Sequence, residues 1–248
     1  MSANLNATRP DAKKRILLIA ANPATSPTTG WPVGFWWSEV THPYWEFTEA
    51  GYEVEIRSPK GGALLGDGYS DPEDASLYSA YDILSLGFKR SPAHVALLAE
   101  TASIADVRVA DFDAIFVSGG QSPMITFPAD ADLHALVVAF HEAGKITALV
   151  CHGTSLLLKA ARPDGTLLVD GKTWTGFADS EEMFADSFVG KRIQPFWIET
   201  EARAIKNTNF VVDARFRPFA VRDGLLVTGQ QQFSGAAAAR MVIDALGR

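Results

Sequence analysis

Three short, almost wholly apolar runs, KRILLIAAN (14–22), FDAIFVSGG (112–120) and KITALV (145–150), each stop abruptly at a polar or glycine-rich turn. Such runs are too short for a buried helix and lack the polar alternation of a strand with one wet face, so they read as strands covered on both sides. Between the last two lies DADLHALVVAFHEAG (130–144), apolar at helical spacing and closed by Gly144. Strands alternating with helices over short connections require a mostly parallel sheet flanked by helices. Ligands of such sheets bind beyond the carboxyl ends of the strands. That edge receives Asn22, Gly119-Gly120 and Cys151-His152.

The rest of the chain fits around this frame. GFWWSEVTHPYWEFTEAG predicts a helix ending at Gly51, with Pro43 starting or bending a turn, and YEVEIRSP predicts a strand. GGALLGDGYSDPED reads as a loop, and residues 78–107 have mixed helical character with breaks expected at Gly87 and Pro92. LLVDGKTWTGF suggests a hairpin, DSEEMFADSF and IQPFWIETEARAI suggest helices, and FVVDARFRPFAVRDGLLVTG suggests paired strands around a turn at Asp223-Gly224. GTSLLLKAA reads as a helix after Cys151, and SGAAAARMVIDAL closes the chain as another. No linker or internal repeat interrupts residues 14–248, so a single α/β domain is expected after an N-terminal extension, 1–13.

Charge and cysteine content exclude several functions. A net charge of -7 provides no cluster of Lys and Arg for a phosphate backbone, so nucleic acid is not an expected partner. No apolar run reaches the roughly 18 to 20 residues of a membrane span, and the first residues lack an apolar secretory core. A soluble cytoplasmic protein, with no membrane partner, is the expectation. The single cysteine can form no intrachain disulfide and no cysteine-rich zinc site. His134 and His141, seven apart on one helix, have no arranged carboxylate and are expected to face solvent rather than a metal.

Cys151 therefore matters as a free thiol or as a small buried side chain. It stands where a strand turns into a helix, a place that exposes a nucleophile at the sheet edge and needs a small residue two positions later, which Gly153 supplies. The upstream small residue of that pattern is missing, since position 149 is Leu. The positive end of the following helix favours thiolate and by itself lowers the thiol pKa. Aromatic residues Trp31, Phe35, Trp36, Trp37, Tyr44, Trp45 and Phe47 surround the first helix, mostly as core, with one or two available to line a pocket. His42, three residues after Glu39, suits a surface or capping role.

VCHG, VSGGQ, GFWWSEVTHPYWEFTEAGYEVEIRSP, GKTWTGFADSEE and DGLLVTGQ, at these spacings, resemble the ThiJ/PfpI superfamily. More narrowly, they resemble its heat-shock chaperone-like branch, which includes the glutathione-independent glyoxalases. The likeness runs from about Lys14 to the C-terminus. It implies a flavodoxin-like, class I glutamine amidotransferase-like sandwich, a homodimer, and no cofactor or metal. It also implies Cys151 as nucleophile, His152 as its proton-transfer partner and Glu39 beside the sulfur sharing a proton. Glu182 orients His152 by spacing, with Glu181 and Asp179 as alternatives. Backbone N–H groups of Gly120 and His152 form the oxyanion site, in a substrate-binding turn with Gly119 and Gln121.

The implied reaction on a small carbonyl substrate is glyoxalase III-like, methylglyoxal to lactate. Thiolate adds to the aldehyde, a proton moves from C1 to C2 through an enediol, and hydrolysis of the thioester follows. The chain departs from the glyoxalase pattern where it reads GGQSPM and CHGTS, since those members commonly carry His in the segment after the glycine pair and Pro after CHG. TGQQQFSG likewise replaces Gly-Gln-Asn-Pro. These changes leave two alternatives open: a hydrolase or hydratase acting on a C–N bond with the same cysteine, and a stress-related chaperone or redox-sensing protein.

Overall fold

The computed structural model describes residues 13–247. The expected extension, 1–13, lies outside the described residues except for Lys13. A seven-stranded sheet forms the centre: β1 (Arg15–Ile19), β2 (Glu53–Ser58), β3 (Ala102–Ser103), β4 (Ala114–Val117), β5 (Ile146–Val150), β6 (Ala220–Asp223) and β7 (Leu226–Gly229). Their order is β6-β7-β5-β4-β1-β2-β3, and every neighbouring pair is parallel except β6 with β7. Ile16 to Ile19, Ala114 to Val117 and Ala148 to Val150 are completely buried, as their unbroken apolar runs require. Each large aliphatic side chain so buried contributes about 1.5–3 kcal/mol.

The register aligns the strand ends. Ile19 lies opposite Val117, Val117 opposite Leu149, and Gly229 opposite Val150. The residues that follow these strands, including Ser118 to Gly120, Cys151 and Gln230, therefore emerge along one edge. β1 crosses to β2 through α1 (Trp37–Glu49), while β4 crosses the opposite way to β5 through α4 (Ala131–Glu142). Right-handed crossovers in opposite directions put these helices on opposite faces of the sheet. α1 also packs against the closing helix, α7 (Gly235–Leu246).

Several expectations are corrected. Pro43 starts no new turn but lies inside α1, buried where Gly235 allows α7 to approach: an added Cβ there would lie 3.2 Å from the proline ring. Gly87 does not break a helix; it lies inside α2 (Ile83–Arg90), which the Asp82 side chain caps by accepting the Ser85 N–H. Pro92 does mark a boundary, as the first residue of α3 (Pro92–Ala99). The segment after Cys151 is a tight 3-10 helix, Cys151–Leu158. The expected hairpin at LLVDGKTWTGF is absent: Thr173–Trp174 pairs in parallel with Asn209–Phe210, and Trp174 is buried edge-on to Phe210. Alternation marks a strand but does not name its partner. α5 (Asp179–Val189) and α6 (Ile198–Ala204) form near their expected places. His134 and His141 are half-buried rather than exposed, His134 bonding the Phe127 carbonyl oxygen through Nε2 at 2.9 Å.

Candidate active site

Cys151 follows β5 with φ +53°, in the left-handed region that a non-glycine residue enters at a cost of about 1–3 kcal/mol. Its surroundings hold it there. The Thr154 hydroxyl donates to the Cys151 carbonyl oxygen at 2.6 Å, and at Gly153 an added Cβ would lie 2.7 Å from the Ser118 carbonyl oxygen. The turn thus forms with only the downstream small residue, while Leu149 is simply a buried strand residue.

The first turn of α1 presents Glu39 to this cysteine. Glu39 is fully buried, and its Oε2 accepts the Gly119 N–H at 2.7 Å. A Cβ at Gly119 would lie 2.6 Å from that oxygen and 3.0 Å from the Cys151 Cβ, so only glycine allows the three residues to converge. Glu39 Oε1 is buried and receives no N–H. Burial pushes the Glu39 carboxyl up to about 8, against the opposing pull of the Cys151 thiol, His152 and the Gly119 N–H. Burial first, then the charge of Glu39, also raises the thiol well above its ordinary range, with the His152 N–H pulling the other way. This reverses the effect expected from helix position alone. Desolvation beside a carboxylate outweighs a partial dipole charge.

His152 is buried against the Phe177 ring at 4.3 Å, and both its nitrogens are engaged. Nδ1 lies 3.0 Å from the Gly120 carbonyl oxygen, which can only accept, so this nitrogen carries a hydrogen. Nε2 lies 3.0 Å from Glu182 Oε1. Burial alone would lower the imidazole pKa, but the Glu182 carboxylate, Glu39 and the Gly120 carbonyl together raise it, and burial raises Glu182 as well, so the pair as a whole retains its proton. Glu182 is the acid at the histidine. Glu181 instead accepts the N–H groups of Ala178 and Phe216 and the Gln230 amide, while Asp179 accepts from Thr200.

The glycine turn divides its donors. The Gly119 N–H belongs to Glu39 and the Gln121 N–H to Asp67, whereas the Gly120 N–H has no acceptor among the described residues. Asp67 had no distinguishing signal in its loop, yet it is buried and joins two segments: Oδ1 accepts the Gly34 N–H at 2.8 Å and Oδ2 the Gln121 N–H at 2.7 Å. Burial pushes its carboxyl up to about 7 despite these donors.

A cavity of about 80 Å³, partly open to solvent, lies over Cys151 and His152. Trp36 lines it together with Tyr69, Tyr78, Phe184, Phe188 and Phe216, residues that sequence reasoning did not single out, and with Gln121, Gln194 and Gln232. Of the other aromatic residues near α1, Phe35, Trp37 and Phe47 are core, whereas Trp45 is exposed. His42 pairs with Asp82 at 2.9 Å, outside the site. Among the described residues no three His, Cys, Asp or Glu side chains are grouped to hold a metal ion, and no helix is long and apolar enough to cross a membrane. A thiol beside a buried carboxyl, a histidine paired with a second acid and a free N–H suit addition of sulfur to a carbonyl carbon.

The family model described as DJ-1/PfpI matches residues 34–244. Among curated relatives, Glyoxalase 3 of Candida albicans is 26% identical over 243 residues, spanning 94% of this chain and 98% of its own. The crystal structure of glyoxalase III from Candida albicans matches with a TM-score of 0.74 at 25% identity, covering 94% of this chain and 97% of that one. Rapid Encystment Protein 24 kDa of Francisella tularensis shares the fold, with a TM-score of 0.83 at 23% identity and coverage of 95% and 100%.

Proposed function

The chain belongs to the DJ-1/PfpI family, and on that premise we propose that it is a cofactor-free, glutathione-independent glyoxalase acting on a small 2-oxoaldehyde. One observation carries this reading: a lone thiol on a strained turn, against a buried carboxyl whose pKa lies near 8, on the floor of a cavity. The names of the curated relatives support it.

In the proposed reaction the Cys151 sulfur bonds to the aldehyde carbon while Glu39 takes the thiol proton and returns it to the new hydroxyl. The free Gly120 N–H, with that of His152, stabilises the oxygen as its charge develops. Glu39 then moves the C1 proton to C2 through an enediol, a task suited to a carboxyl whose pKa lies close to the working pH. His152, bound at both nitrogens and drawn towards its charged form by Glu182, acts by its field on the enediolate. Water splits the resulting thioester, releasing a 2-hydroxy acid and restoring the thiol.

The test is methylglyoxal without glutathione, following ketoaldehyde loss and lactate together. Lactate from the wild type and none from Cys151→Ala is the expected result, with Glu39→Gln slower by about 10²- to 10⁴-fold. Ketoaldehyde loss without lactate, or lactate from Cys151→Ala, refutes the reading. A homodimer in the cytoplasm is part of the same proposal, tested by sedimentation and cell fractionation.

A further inference from the structure

The lining of the cavity goes beyond what thiol addition needs. Tyr69, Tyr78 and Phe188 form a triangle of rings with centroids 6.2, 6.1 and 6.0 Å apart. Trp36 meets Tyr78 edge-on at 6.2 Å, and Phe184 lies beside Phe188 at 6.3 Å. No Lys or Arg lines this space, and its charged groups, His152 and Glu182, already satisfy each other. Of the cations carried by neighbouring segments, Lys191 lies over Trp31 and Arg192 over Trp197, rings that do not line the cavity, while Arg215 lies over the lining ring of Phe184. Gln121 also lines the cavity, in the segment where the sequence departs from the glyoxalase pattern. Its side-chain oxygen is buried and receives no hydrogen bond from the described residues, so a ligand hydroxyl would complete it.

We propose that the site selects an uncharged aryl 2-oxoaldehyde, of which phenylglyoxal is the simplest, with its ring in the aromatic triangle and its C2 oxygen donating to Gln121 once it becomes a hydroxyl. This rests on the glyoxalase reading above. The methyl group of methylglyoxal would leave most of the triangle uncovered, whereas a phenyl ring can meet the three rings edge-on or offset. The balance needs only water: S–H adds across the aldehyde C=O, hydrogen passes from C1 to C2, and water cleaves the S–C bond, converting RCOCHO to RCH(OH)COOH.

The experiment compares phenylglyoxal with methylglyoxal without glutathione, scored by mandelate and lactate formed. We expect kcat/KM to be about tenfold or more higher for the aryl substrate, and Phe188→Ala to bring the ratio within about threefold. Phe188 is 58% exposed, so its truncation leaves the core intact. A second measurement needs no turnover: 2-hydroxyacetophenone should protect Cys151 from iodoacetamide at about a tenth of the concentration that hydroxyacetone requires. Equal protection, or equal kcat/KM, overturns aryl selectivity and leaves the glyoxalase reading intact. Selective protection by the aryl ketone without either hydroxy acid supports the aryl site and overturns the glyoxalase reading.

Discussion

Glu39 answers to two opposing requirements: it is buried beside a thiol that needs a base, and burial resists the charge that makes it one. Its carboxyl, pushed up to about 8, and the Cys151 thiol, pushed higher, titrate as a pair. With both protons in place the pair cannot accept one. kcat/KM should therefore rise with pH through about 8, and Glu39→Gln should remove that limb, which initial rates across the range will check. The same shift has a stability consequence. A carboxyl raised in the folded state contributes stability in full below its ordinary value of 4.5, and that contribution is lost as pH climbs towards 8. Glu39→Gln, which never ionises, should thus gain on the wild type between those limits, by on the order of 3 kcal/mol near pH 7. Denaturant unfolding at pH 5 and pH 7.5 measures it, and a gain confined to pH 5 contradicts the sign.

Elements formed where local pattern and packing agreed, and two glycines show when a propensity signal misleads. Gly87 suggested a break, but a mid-helix glycine costs only about 1 kcal/mol, less than the Asp82 cap and burial of Phe88 return to α2. Nothing lies within 4 Å of a Cβ added there. Gly87→Ala should accordingly stabilise the protein by about 0.5–1 kcal/mol. At Gly153 the added Cβ meets backbone at 2.7 Å and would force the strand and the 3-10 helix apart beneath Cys151. Gly153→Ala should destabilise by about 1–3 kcal/mol and lower the rate of Cys151 alkylation. Thermal melts of both variants decide the pair, and an equal effect of the two substitutions contradicts this account.

At the scale of the whole molecule the site depends on ties between distant loops. Asp67 joins the approach to α1 with the glycine turn through two backbone N–H groups. Asp67→Asn retains only one acceptor for them, and the expected cost is about 1–3 kcal/mol together with a fall in kcat/KM at unchanged Cys151 alkylation. Unchanged turnover would show that the turn holds itself. Such ties also mark what one sequence can show. Short apolar runs ending in polar turns were enough to place the central strands and the common edge, because burial on both faces leaves a local imprint. The turn at Cys151 and the resemblance around it were enough to name Glu39, His152 and Glu182 as candidates. Only the folded chain decided that Glu182 rather than Glu181 meets His152, 30 positions away, that Glu39 reaches Gly119 across 80, and that Thr173–Trp174 pairs with Asn209–Phe210. The proton affinity of the thiol and the ring triangle above it belong to the same class. They arise from desolvation and from distances between remote segments, and local periodicity carries neither.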